Sequence, residues 1–131
     1  PMKSLILVAL GGSFGAVSRW LLGTWLDGLT SASKFPFGIL KVNVLGCLLI
    51  GLLYGLAESR NLFSAETRLF VFTGFLGSFT TFSTFGWNTF ELFKAGHFGT
   101  AISNIVISIV AGLLAVWLGY AVAHRFLSAE A

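Results

Sequence analysis

Charge is what this sequence has least of: eight Lys and Arg and five Asp and Glu among 131 residues, 10% of the chain. A soluble domain this short must cover much of its surface with polar groups. Here 56% of residues are hydrophobic and the mean hydropathy is +0.89. Water offers no way to hide that much apolar surface, whereas a bilayer solvates it directly. The scarcity of cations also argues against a nucleic-acid partner, despite a net charge of +3 and a pI near 9.5. Lys and Arg stand singly near the ends of apolar segments, with no cluster able to track phosphates. That scatter suits anchoring at a membrane interface.

Cysteine is nearly absent. Cys47 alone excludes an internal disulfide framework and any Cys-rich metal site. Inside an apolar run it reads as a small buried hydrophobe. A convergent His/Asp/Glu set is missing as well. His97 and His124 fall near opposite ends of their segments, and no nucleophile–base pair or metal-ligand spacing occurs. An enzyme is therefore not expected.

What the sequence has in quantity is long apolar runs. Four stand out: Ser4–Leu26, Phe37–Ala57, Leu69–Phe93 and Thr100–Ala123. Each has 21 to 25 residues, and about 20 suffice to cross a bilayer core as a helix. Between them lie Ser31-Ala32-Ser33-Lys34 with Pro36, Glu58-Ser59-Arg60-Asn61, and Lys94-Ala95-Gly96-His97. The start, Lys3 and then Leu5–Leu10, resembles a signal peptide. Its apolar stretch continues to Leu26, however, and is read as a permanent first span. The expected fold is an all-α membrane protein, with residues 1–131 forming one four-helix domain.

Four spans put both termini on one side. Lys3, Arg60, Arg68 and Arg125 then lie on the terminal side, and Arg19, Lys34, Lys41 and Lys94 on the other. Lys/Arg asymmetry normally orients a membrane protein, and here there is none. Insertion in both orientations is expected, with two copies pairing antiparallel as an inverted repeat made of separate molecules. Sixteen glycines include the pairs Gly11/Gly15 and Gly51/Gly55, whose spacing lets helix backbones approach closely in lipid.

The third run carries the chemistry. Gly74, Gly77 and Ser78 weaken its helix at mid-span, and Thr80 and Thr81 can stabilise a bend through local hydrogen bonds. A break at 77–81 would free carbonyls and amides that hydrocarbon cannot satisfy. Carbonyls from two such breaks suit a bare alkali cation, and the half-helix that follows begins with a partially positive end. The alternative is an unbroken glycine-containing helix. Phe79, Phe82 and Phe85 recur every three residues, so neighbours share a face. Ring faces attract cations and ring edges attract small anions. Ser83 and Thr84 add hydroxyls beside them. The competing reading is a stripe of Phe that only packs.

Other polar residues lie within the runs. Asn43 can donate to an anion or bond a neighbouring helix. Asn104 and Ser108, four apart, share a face and either extend a polar track or knit helices. Arg19 can snorkel to the interface, cap carbonyls or draw anions to a vestibule. Glu91 is placed at an interface.

The run Thr73-Gly74-Phe75-Leu76-Gly77-Ser78-Phe79-Thr80-Thr81-Phe82-Ser83-Thr84-Phe85 closely resembles the signature of the Fluc/CrcB fluoride channels. Gly12-Ser13-Phe14-Gly15-Ala16-Val17-Ser18-Arg19-Trp20 and Val42-Asn43-Val44-Leu45-Gly46 resemble two further motifs of that family. The likeness covers essentially the whole chain. It implies a passive, fluoride-selective channel that exports the toxic ion across the bacterial inner membrane. It also implies an antiparallel homodimer with two pores. By carry-over, Phe82 and Phe85 offer ring edges to fluoride, Asn43 is a donor in the pore, and Ser83 and Thr84 belong to the polar track. Gly77 and Thr80 would give carbonyls to a structural sodium ion at the dimer centre, and Arg19 matches an arginine near the vestibule. Ser78 and Phe79 depart from the glycine and leucine usual in the family. The main rival, a small four-helix dual-topology exporter of cationic compounds, requires an acid inside the first span. Asp27 lies only at its end.

Overall fold

A computed structural model describes residues 1–30, 32–60 and 62–127. Ser31 and Asn61, from the first two polar breaks, lie outside the described residues. Among the described residues, four helical spans are long and apolar enough to cross a membrane. Helix is what such runs must adopt in hydrocarbon, because it satisfies backbone groups within the segment. Helix α1 is Met2–Leu29 and α2 is Phe37–Arg60. The third span, Ala65–Lys94, is built in pieces. A short α3 (Ala65–Thr67) leads into a π-helical stretch, Arg68–Leu76, then α4 (Gly77–Phe79) and, after a break, α5 (Phe82–Lys94). Helix α6, Phe98–Val122, continues into a π-helical turn, Ala123–Leu127.

The ends of these helices have chemical causes. Ser64 caps the third span, its hydroxyl accepting from the Thr67 N–H at 3.2 Å. The Asp27 carboxylate, at the end of α1, accepts from the Gly38 N–H at 2.8 Å. That places a negative charge at the partially positive start of α2. Gly96, with φ +79°, makes the turn from α5 into α6, a conformation that costs glycine least.

Packing rests on bare backbone. Helix α2 lies along α6, and α1 along the π-helical stretch. A Cβ on Gly51 would strike the Val116 carbonyl, and one on Gly119 the Leu48 carbonyl. Gly11 and Gly15 likewise face the carbonyls of Phe70 and Phe75. The expected glycine pairs are therefore sites of close approach, as packing between lipid-embedded helices favours. Little is enclosed in return. Among the described residues, Val42 and Asn104 are the largest fully buried side chains, while Trp25, Leu113 and Trp117 stay more than 60% exposed on the single chain.

The break is narrower than the sequence suggests. Gly77 keeps helical angles, φ −60° and ψ −31°. Extended geometry is confined to Thr80 (φ −84°, ψ 155°) and Thr81 (φ −148°, ψ 116°). Glycine tolerates this helix interior because α1 and α4 pack together there and supply stability that glycine's own propensity lacks.

Candidate functional site

The break is held by four local devices. The Thr81 N–H would bond the Gly77 carbonyl in an unbroken helix. It donates instead to Asn43 Oδ1 at 2.8 Å, and Asn43 Nδ2 donates back to the Thr81 carbonyl at 3.0 Å. The Thr80 N–H and hydroxyl both reach the Leu76 carbonyl, at 3.2 and 3.1 Å, ending the first half of the span. The Thr81 hydroxyl accepts from the Thr84 N–H at 3.2 Å and so caps α5. Finally, Gly46 on α2 leaves room for the Thr80 methyl, which a Cβ there would strike. Thr81 is only 7% exposed, so its N–H depends on Asn43 rather than on solvent.

Against this break lies a cavity of about 380 Å³. It gathers six of the residues singled out from the sequence: Asn43, Gly77, Thr80, Phe82, Phe85 and Ser108. Thr81 and Cys47 also line it, and none of its lining side chains is charged. Cys47 is half-buried rather than enclosed. The Phe82 and Phe85 rings stand 5.5 Å apart at 41°, as a tilted pair. Phe82 is 84% exposed on the single chain. The start of α5, with its partial positive charge, borders the same space. Aromatic rings, hydroxyls and a helix start around an uncharged hollow can make a setting for a small anion with no fixed cation to trap it.

Asn43 holds the break and borders the cavity at once. Its carbonyl and one N–H serve the Thr81 backbone, and a primary amide carries a second N–H. The sequence left open whether Asn43 bonds a neighbouring helix or an anion. It does bond the neighbouring span, from a position on the cavity wall.

The remaining expected residues stand apart from the cavity lining. Ser83 and Thr84 belong to the first turn of α5, where both hydroxyls lie within 3.2 Å of Thr81 Oγ1. Asn104 is 1% exposed. Its Nδ2 donates to Thr89 Oγ1 at 2.9 Å, and its Oδ1 accepts from Ser108 Oγ at 3.4 Å. Thr89 in turn donates to the Phe85 carbonyl at 2.8 Å. Arg19 is on α1, which packs chiefly on the first half of the third span and contributes no residue to the lining of this cavity. Thr89 was missed in the sequence. Its four-residue spacing from Phe85 was the available signal, but only the placement of α6 turns that spacing into a bridge.

A second hollow, about 550 Å³, opens where α1 joins α2 and α5 joins α6. Asp27, Lys34, Glu91 and His97 face it. Lys34 Nζ lies 3.1 Å from His97 Nε2. Glu91 is exposed and lines the same hollow.

Comparison with known proteins puts this geometry in context. Residues 6–120 match the family model described as CrcB-like protein, Camphor Resistance (CrcB). The chain is 43% identical over 119 residues to a protein of Methylobacillus flagellatus named fluoride-specific ion channel FluC, covering 91% of this chain and 93% of that one. A protein of the same name from Parabacteroides distasonis is 43% identical over 118 residues, with 90% and 91% covered. Another, from Chloroflexus aurantiacus, is 41% identical over 129 residues, with 95% and 98% covered.

Proposed function

The chain belongs to the CrcB-like protein family, and from that premise we propose that it is a fluoride-selective passive channel that lets the toxic ion leave the cell. The observation that carries this reading is the cavity at the broken third span, where Phe82, Phe85, Asn43 and Ser108 meet without a charged side chain. Fluoride is small and strongly hydrated. A path must replace its water with several fixed donors and positive ring edges, close enough together that a larger halide does not fit. The named relatives support fluoride rather than the cationic cargo of the rival exporter, and the cavity's lack of an acid agrees with them.

The working unit in this proposal is an antiparallel homodimer in the bacterial inner membrane. Two features support it. The eight basic residues divide equally between the two sides, so insertion in both orientations is the expected outcome. The single chain also leaves Phe82 and Gly77 exposed beside the break, and a carbonyl freed from its helix, as that of Gly77 is, is costly in lipid unless protein or water covers it. A second copy covers it and places the two breaks face to face.

A sodium ion between the breaks belongs to the same proposal. Turning the Thr81 N–H to Asn43 takes away the helical partner of the Gly77 carbonyl, and Gly77 and Thr80 both border the cavity. Carbonyl oxygens without protons suit a hard cation, so these residues fit it. Gly77 and Thr80 would hold the ion, which would supply positive charge to opposed carbonyl dipoles. Purification in choline chloride instead of sodium chloride is expected to lower the melting temperature of the dimer and to be reversed by sodium. An unchanged melting curve in sodium-free buffer would remove the ion from the proposal.

The test of function is flux from liposomes. Purified protein, running in detergent with the mass of two 14.0 kDa chains, is reconstituted with potassium fluoride inside and valinomycin to clamp the voltage. Rapid fluoride efflux, with chloride retained in parallel vesicles, is the expected result. A folded dimer that passes neither ion, or both alike, refutes the reading.

A further inference from the structure

Two residues that never touch the cavity connect two that do. Phe85 on α5 and Ser108 on α6 both line it. Behind them, Ser108 Oγ donates to Asn104 Oδ1 at 3.4 Å, Asn104 Nδ2 donates to Thr89 Oγ1 at 2.9 Å, and Thr89 Oγ1 donates to the Phe85 carbonyl at 2.8 Å. Asn104 is 1% exposed and Thr89 7%, so water does not compete for these bonds. The sequence left open whether Asn104 extends a polar track or knits helices; here its amide bonds protein groups on both sides.

We infer that Thr89 and Asn104 form a buried brace that sets the separation of α5 from α6 and so the width of the path between Phe85 and Ser108. This rests on the channel reading above. The mechanical argument starts from how little else holds α5. Its buried side chains are Thr89 and Leu92, and its contact with α2 is slight beside the contact with α6. The N-terminal end of α5 is tied to α2 through Thr81 and Asn43. Two turns later, Thr89 ties it to α6. Helix α5 is thus pinned at two points, and the Phe85 ring projects between them. Loss of the second pin lets α5 rotate and slide on α6, and discrimination between ions by fit requires the wall to stay still. Thr89 and Asn104 are positioning residues: they act on fluoride through Phe85 and Ser108.

The experiment compares fluoride and chloride efflux, dimer mass and melting temperature for the unmodified protein, Thr89→Ser, Thr89→Val and the pair Thr89→Val with Asn104→Leu. Serine keeps the hydroxyl, and its fluoride efflux is expected within ~3-fold of the unmodified rate. Valine keeps the shape but loses both bonds, and efflux is expected to fall at least ~10-fold, about 1.4 kcal/mol in barrier. The double variant removes both partners together, so no buried amide is left unpaired and the fold is preserved. Its efflux is expected to be as low as that of Thr89→Val, with dimer mass and melting temperature close to the unmodified protein. Full fluoride efflux in the double variant overturns the brace, and so does a Thr89→Ser variant as impaired as Thr89→Val. An unmodified protein that passes no fluoride fails at the earlier step and refutes the channel reading itself.

Discussion

Replacing Phe85 by isoleucine abolishes fluoride efflux from liposomes while the protein still purifies as a dimer. The ring borders the cavity beside Phe82, 5.5 Å away, and no charged side chain in the lining can take its place. Isoleucine fills most of the volume but has no quadrupole and no positive edge. If the ring edge stabilises the passing ion by about 3 kcal/mol, its loss slows passage ~100-fold or more. The packing penalty is small by comparison, because Phe85 is only half-buried. Phe82→Ile is expected to act in the same way, with still less effect on stability, since Phe82 is 84% exposed on the chain. Efflux at the unmodified rate in both variants would show that the rings pack and do not conduct. Melting curves and dimer mass measured alongside separate lost conduction from lost fold.

Asn43→Leu is expected to damage the fold and the path together. Leucine nearly matches asparagine in volume but can neither accept from the Thr81 N–H nor donate to the Thr81 carbonyl. The Thr81 N–H, on a residue 7% exposed, is then left without a partner, while the Thr81 carbonyl keeps the first bond of α5 as its N-cap. That orphan costs about 1–3 kcal/mol, a sizeable part of what holds a small domain together. Asn43→Asp retains an oxygen to accept from the Thr81 N–H and is expected to keep more of the folded dimer than leucine does. Thermal unfolding in detergent, followed by efflux from whatever dimer survives, reads both effects. A leucine variant with unmodified melting temperature and flux would mean that the break satisfies itself by other means.

Several features were legible in the sequence because they follow from local rules. Runs of 21 to 25 apolar residues name their own spans, since only helix hides its backbone in lipid. Gly11/Gly15 and Gly51/Gly55 announced close helix contact by their spacing alone. Membership of Phe82, Phe85 and Asn43 in one site was carried by the likeness of the third run to a family signature, and the cavity gathers all three. The break was foreseen over 77–81 but occupies only Thr80 and Thr81. Glycine propensity marks where a helix is weak, whereas the actual exit falls where a partner, Asn43, is available to take the Thr81 N–H.

The sequence by itself determined that this chain lives in a bilayer as four helices, because composition and run length leave it no other solvent. It also marked the third span as the one whose helix is weakest. Only the tertiary structure decided which polar residues face the cavity and which stand behind it. Asn43 and Ser108 reach the wall, Asn104 is buried against Thr89, and Arg19 is carried away on α1. The reason is physical. A side chain's neighbours along one helix follow from its spacing in the chain, but its neighbours on other helices depend on how each helix is rotated and which partner it packs against, and those are set by the packing of all the helices at once.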